Sequence, residues 1–237
     1  MACLPLHLAT AIIKKCWISL WSRSVPWFYH LARAIVRGLL LLTRWQVKGK
    51  ENIPDQGPLI IVANHLSLAD PPVLNVSLTR KVIFMAKEEL FRHKIAGYFI
   101  RSFGAFPVHR GQLDREALRQ ARKVLDEGLA LVMFPEGMRS RSRKLRPALP
   151  GAALIASRSG APILPVGIAG TEKFKNITWL FRRPCITVNI GRPFYLPQVN
   201  GKLTKAELNR FTDLIMEHIA ELLPEEYCGE YQTKENR

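Results

Sequence analysis

The chain has 237 residues, 48% of them apolar and 23% charged, enough to bury a substantial core and too apolar for global disorder. Thirty-five Lys and Arg against 19 Asp and Glu leave a formal charge of +16, which calls for nucleic acid, an acidic lipid surface or a phosphorylated substrate. The four cysteines (Cys3, Cys16, Cys185 and Cys228) form no C-x-x-C pair and no metal-ligand spacing with His, which argues against a disulfide scaffold and against a zinc site.

The first 13 residues are uncharged, but no basic segment precedes them, so a cleaved signal peptide is not expected. No charge-free apolar run reaches the roughly 18 residues of a spanning helix. The surplus charge is graded along the chain. Residues 1–57 carry eight basic and two acidic groups, whereas residues 161–237 carry ten and nine. A nucleic-acid coat would be more even. Trp17, Trp21, Trp27 and Trp45 crowd the same basic end. On a helix through this segment, Arg33, Arg37 and Arg44 fall within an arc of about 40°. Phe28, Leu31, Ile35, Leu39 and Leu42 take the other side. A broad apolar face, a narrow cationic stripe and aromatic ends suit a helix lying in a membrane interface. Residues 1–50 are therefore expected to form an amphipathic helical membrane-docking motif, although an ordinary core helix would share the pattern.

From Gly49 onward the texture changes. Residues 52–58, Asn-Ile-Pro-Asp-Gln-Gly-Pro, form a turn-rich joint. Leu59–Ala63 reads as a buried strand, followed by a helix with Asp70 as N-cap and Pro71 at its first position. Val82–Ala86 is a second apolar strand, and Leu90–Ile100 a mixed, helical stretch. Asp114–Glu127 is an amphipathic helix ended by Gly128. Leu129–Phe134 is a strand, Ala152–Arg158 a helix, and Ile163–Ile168 and Ile186–Ile190 are strands. Thr204–Leu223 opens with a Thr204/Glu207 capping box. This alternation predicts an α/β domain over residues 51–224, a mixed central sheet covered by helices, with a polar, mobile tail at 225–237.

Two strand ends carry candidate chemistry. Asn64-His65-Leu66-Ser67-Leu68-Ala69-Asp70 leaves the first strand. His65 and Asp70 would point about 140° apart on a continuous helix, so they meet only if the segment bends. Asp70 before Pro71 is biased toward such a bend. A carboxylate on one imidazole nitrogen fixes the tautomer and leaves the other to take a proton from a hydroxyl. His109 and Asp114 repeat the spacing, but Asp114 is better explained as the cap of its helix. The second strand end is Phe134-Pro135-Glu136-Gly137-Met138-Arg139-Ser140, where Gly137 allows close backbone approach and Arg139 can grip phosphate. Phe103 to Gly111 adds Arg110 in a Gly-punctuated turn. Arg141, Arg143, Lys144 and Arg146 extend the basic run, either toward phosphates or as a solvated loop.

Together these segments resemble the glycerolipid acyltransferases of the 1-acylglycerol-3-phosphate acyltransferase (PlsC) type. Asn64-His65-x4-Asp70, Gly104 to Arg110, Phe134 to Ser140 and Ile163 to Val166 are similar to that family's four blocks, in order. Met138 departs from the pattern, standing where the family usually has Thr or Ser. The resemblance implies acyl transfer from a coenzyme A or acyl carrier protein thioester to a glycerophosphate hydroxyl, with lysophosphatidic acid as leading acceptor. It implies His65 as general base, Asp70 as its orienting partner, and Arg110, Glu136, Gly137 and Arg139 as the acceptor's holders. Lys87 is a further candidate phosphate contact or a solvated strand-end lysine. Backbone N–H groups near His65 or Gly137 are the expected oxyanion donors. No metal or cofactor is called for, and no nucleic acid. The expected location is the cytoplasmic face of a membrane, peripheral or monotopic. Another acceptor, such as glycerol 3-phosphate, and a non-catalytic basic membrane-binding module are the alternatives.

Overall fold

The computed structural model describes residues 27–109, 114–174, 178–197 and 203–231, and only the backbone at 94–96. The expectations for Trp17, Trp21 and Arg110 fall outside those residues. In chain order the elements are α1 (Trp27–Leu41), β1 (Arg44–Lys48), β2 (Leu59–Ala63), α2 (Asp70–Ser77), β3 (Val82–Lys87), α3 (Lys94–Ser102) and β4 (Ala105–Val108). There follow α4 (Arg115–Asp126), β5 (Ala130–Met133), α5 (Gly151–Ser159), β6 (Ile163–Ala169), α6 (Trp179–Arg182), β7 (Cys185–Ile190), α7 (Lys205–Ala220) and α8 (Glu225–Cys228).

Among the described residues seven strands form one sheet in the order β1-β7-β6-β2-β5-β3-β4. All neighbours are parallel except β6 and β7, so the sheet is mixed, as the sequence predicts. The central β2 is buried at every position because both faces are covered. Its Ile60 and Val62 pack with Ala121, Ala153 and Ile215 of α4, α5 and α7, and its Leu59, Ile61 and Ala63 with Leu40, Val73 and Leu74 of α1 and α2. The Asp114 cap and the Thr204/Glu207 capping box form as expected.

Three local readings are corrected. The N-terminal helix stops at Leu41, where a turn closes through Leu42 N–H to Leu39 O and the Thr43 hydroxyl binds Leu40 O at 2.7 Å. Arg44–Lys48 then alternates between exposed and half-buried positions, the period of a strand, and pairs with β7 instead of continuing the helix. The cationic stripe is also differently employed. Arg33 does not face outward: its guanidinium donates to Asn75 O and Asn75 Oδ1, both at 2.6 Å, and to Leu78 O at 3.1 Å, capping the carbonyl end of α2. Leu31, Ile35, Leu39, Leu41 and Leu42 of α1 and the turn after it are left exposed instead. Finally, the C-terminal tail begins as ordered structure. Tyr227 and Cys228 of α8 are buried, and Tyr227 O accepts from Leu145 N at 2.7 Å.

Candidate active site

The carboxyl ends of β2, β3, β5 and β6 share one edge of the sheet, where open α/β sheets place their ligands. β2 leaves that edge through Asn64. The Asn64 side chain accepts from Ile168 N at 2.7 Å and donates to Ile168 O at 2.8 Å. It extends the ladder by one residue and so sets where His65 departs.

Asp70 opens α2, with Ala69 and not Asp70 at the N-cap position. Pro71 and Pro72 have no N–H to cap, which frees the Asp70 carboxylate to turn back. Its Oδ2 accepts from His65 Nδ1 at 2.7 Å, Leu66 N at 2.6 Å and Ser67 N at 2.7 Å. Its Oδ1 accepts from the Thr171 hydroxyl at 2.5 Å. Asp70 and Thr171 are 0% exposed and His65 is 7% exposed. Four donors converging on two oxygens leave that carboxylate only an acceptor's part, so the imidazole proton sits on Nδ1. The Nε2 lone pair has no hydrogen-bond partner among the described residues. The bend required by the five-residue spacing is therefore made by the carboxylate itself.

The loop after β5 clamps this arrangement. The Phe134 ring stacks on the His65 imidazole, with centroids 4.3 Å apart and planes at 23°. Glu136 is 4% exposed, and its oxygens accept from His65 N at 2.7 Å and Arg146 N at 3.2 Å. Ser140 N donates to His65 O at 2.7 Å. Both peptide groups of His65 are thus fastened to the same neighbouring loop. Burial pushes the Glu136 carboxyl up to about 7, against the lowering pull of those two N–H donors and of the Arg146 charge. Of the hydroxyls on the two loops, Ser67 Oγ accepts from Ala69 N and Ser140 Oγ donates to Lys144 O, and neither is hydrogen-bonded to His65 as an activated nucleophile would be.

Not every sequence-derived candidate is placed as expected. His65, Asp70, Glu136 and Gly137 come together on two adjoining loops. Glu136, expected to hold the acceptor, instead fixes the backbone that carries His65. Gly137 has φ +69, and a Cβ there would lie 2.6 Å from Leu149 Cδ1. Arg139 is exposed beyond it. Lys87 ends β3 on the same edge, half-exposed and paired with Glu89 at 3.0 Å. The N–H groups of His65, Leu66, Ser67 and Gly137, where oxyanion donors were expected, are all bonded to Glu136, Asp70 or Phe134 O. Thr171 escaped sequence reasoning altogether. Among the described residues, no group of three or more His, Cys, Asp or Glu could hold a metal ion.

A cavity of about 410 Å³ opens beside the pair. Met85, Leu118, Met133, Leu154, Ile155 and Leu208 make its wall apolar, and Phe134 lines it as well. One aromatic ring therefore separates the cavity from the imidazole it stacks on.

A buried His–Asp pair whose Nε2 has no partner among the described residues, one ring away from an apolar cavity, has the groups that general-base attack by a hydroxyl would need and room for a long apolar substituent. The family profile described as "Acyltransferase" matches residues 44–169, more than half the chain, and the chain belongs to that family. It is 34% identical over 173 residues to the 1-acyl-sn-glycerol-3-phosphate acyltransferase of Streptococcus pneumoniae, covering 69% of this chain and 63% of that one. It is 30% identical over 178 residues to the Bacillus subtilis enzyme of the same name, covering 75% and 87%. The crystal structure of the 1-acyl-sn-glycerophosphate (LPA) acyltransferase PlsC from Thermotoga maritima superposes with a TM-score of 0.58 at 26% identity, covering 92% and 94%.

Proposed function

We propose that the chain moves a fatty acyl group from a thioester of coenzyme A or acyl carrier protein to the sn-2 hydroxyl of 1-acylglycerol 3-phosphate, giving phosphatidic acid. The observation that carries this reading is the His65–Asp70 pair, buried with Nε2 free one ring away from an apolar cavity. His65 Nε2 takes the acceptor's hydroxyl proton while the oxygen attacks the thioester carbonyl carbon. The tetrahedral intermediate collapses, the carbon–sulfur bond breaks, and the thiolate takes the proton back from Nε2 as a thiol. The ring leaves the cycle as it entered. Asp70 steadies the imidazolium formed midway, a contribution typically worth about 10²–10⁴ in rate for the base as a whole.

The cavity suits one acyl chain. Arg139, with Arg110 and the basic run through Arg146, suits the acceptor's phosphate. Lys87 is a further phosphate contact if its pair with Glu89 opens. An acceptor with a long tail also explains α1. No helix among the described residues is long and apolar enough to cross a membrane, yet α1 exposes a stripe of Leu and Ile to the outside. That stripe docks the enzyme on the cytoplasmic face of the bilayer, peripherally, so that the lipid need not enter water.

The test is acyl transfer by the full chain with 1-acylglycerol 3-phosphate and glycerol 3-phosphate offered separately, beside His65→Ala. Turnover of the first acceptor alone, lost by at least about 10²-fold in the variant, is the expected result. Turnover of glycerol 3-phosphate instead would reassign the acceptor, starting from the exposed Met138. Equal turnover by both proteins would remove His65 from the mechanism.

A further inference from the structure

α1 is not the only element that shows an apolar side chain to the outside. Helix α6, in the connection from β6 to β7, carries Phe181 at 88% exposure, against 76% for Trp27 at the start of α1. The connection is anchored from within. Phe174 packs against the core and meets Trp179 edge-on, with ring centroids 4.9 Å apart at 75°. One aromatic ring thus holds the hairpin while another is presented. Lys173, Arg182 and Arg183 are exposed around it. Among the described residues none of the three is ion-paired, and from Lys173 to Arg192 the sequence contains no Asp or Glu.

The position of the hairpin matters as much as its composition. β7 runs antiparallel to β6, so it starts at the carboxyl edge, the edge where Thr171 meets Asp70. Arg44 N donates to Pro184 O at 3.0 Å. That single bond is flanked on one side by exposed Leu41 and Leu42 and on the other by Arg183. The apolar face of α1 therefore continues onto the hairpin at the end of the molecule that holds His65.

We propose that the Trp179–Arg183 hairpin is a second contact with an anionic lipid bilayer, in which Phe181 enters the interface and Arg182 and Arg183 meet headgroup phosphates. The inference rests on the membrane-bound acyltransferase reading above and adds an orientation to it. A molecule held by one helix is free to roll about that helix. A second contact off the helix axis, at the carboxyl edge, stops the roll and turns the catalytic edge toward the lipids. An aromatic ring beside arginines whose stems lie along the surface is the composition that an interface of apolar tails and anionic headgroups favours. A second copy of the chain is the poorer occupant, because a formal charge of +16 would meet itself across the contact.

The experiment is partition of the full chain onto sedimentable vesicles, either phosphatidylglycerol mixed with phosphatidylcholine or phosphatidylcholine alone. Phe181→Asp is expected to weaken binding to the mixed vesicles by about tenfold, and Phe181→Leu to leave it unchanged. Charge reversal at Arg182 and Arg183 together is expected to cost about tenfold or more on the mixed vesicles and little on the neutral ones. Acylation of vesicle-borne acceptor should fall in parallel, while a short-chain acceptor in free solution is acylated at the wild-type rate. Partition unchanged in both variants overturns the proposal. So does a wild-type dimer that Phe181→Asp dissociates, which would give the face to a second copy. Partition is read without catalysis, so a protein that acylates no acceptor would refute the enzymatic reading and leave this result standing.

Discussion

The two loops at the carboxyl edge are built on opposite plans. From Asn64 to Asp70 the polar groups are bound and buried: Asn64 to Ile168, the His65 peptide to Glu136 and Ser140, Asp70 to four donors. From Arg139 to Arg146 only Ser140 and Leu145 are buried, while Arg139, Arg141, Arg143, Lys144 and Arg146 stand in solvent. Among the described residues none of those five side chains is ion-paired, and Arg143 takes a left-handed φ of 67°. Misplacing reacting groups by about 1 Å can cost about 10²-fold in rate, so a base is best locked by its surroundings. Phosphate recognition by long cationic side chains tolerates water and motion, and fixing them in advance against carboxylates would only weaken them. On the proposed reading the rigid loop would do the chemistry and the loose one would supply the charge.

The sharpest way to break this contrast is to cut the rigid loop. His65→Ala is expected to lower kcat by at least about 10²-fold, and Asp70→Asn by a comparable factor, because an amide cannot accept from all four donors. Steady-state kinetics with unchanged thermal unfolding for His65→Ala would place the loss in the reaction itself. If Asp70→Asn kept near wild-type kcat, the tautomer argument would fail.

Glu136 comes next, since it accepts a backbone N–H from each loop. Glu136→Ala orphans two N–H groups, those of His65 and Arg146, at about 1–3 kcal/mol each, and should lower the melting temperature and kcat together. The pH dependence has a definite sign. A carboxyl raised from 4.5 to about 7 by folding holds a proton that the unfolded chain releases. Its contribution to stability is complete below about pH 4.5 and is lost as pH rises through about 7. Across that window wild type should lose about 3 kcal/mol relative to Glu136→Gln in denaturant unfolding. A constant difference from pH 4.5 to 7 would show that the two N–H bonds outweigh burial.

How far the sequence revealed this arrangement depends on how local each signal is. Interior strands such as Leu59–Ala63 are continuous apolar runs because both faces are covered, and they were legible. The two unread strands, β1 and β4, are the two edges of the sheet. An edge strand is only partly buried, so Arg44–Lys48 merely alternates, and Ala105–Val108 is short and holds Pro107, which an edge tolerates. The His65–Asp70 spacing is local, but it recurs at His109 and Asp114, so it was read only with the segment after β5 beside it. Thr171 was not, because it lies 101 residues beyond Asp70 and only the β2–β6 pairing brings it there. Arg33 shows the converse failure. Its place on a helical stripe was correct, but a stripe does not say whether lipid or the end of another helix will receive the charge.

The loose loop makes gentler predictions. Arg139→Ala should raise KM for a phosphorylated acceptor about five- to tenfold while kcat holds. Added salt should weaken wild-type binding more than the variant's, as for any exposed ionic contact. A loss confined to kcat would instead move Arg139 into the rigid group.

Lys87 tests where the boundary between the two plans runs. It sits on the catalytic edge, yet its ammonium is paired with Glu89 at 3.0 Å, and both side chains are nearly half exposed. A pair that exposed is screened by water, so Lys87→Ala should leave the melting temperature unchanged. Its KM for lysophosphatidic acid should move by less than about twofold, because an ammonium already beside a carboxylate has little left for a phosphate. Glu89→Ala supplies the complement. If freeing Lys87 in that variant lowers KM while Lys87→Ala leaves it alone, the lysine is a latent phosphate contact held back by its neighbour. If neither variant moves KM, phosphate recognition belongs to the Arg139 side of the edge, and the strand-end lysine is a solvated charge.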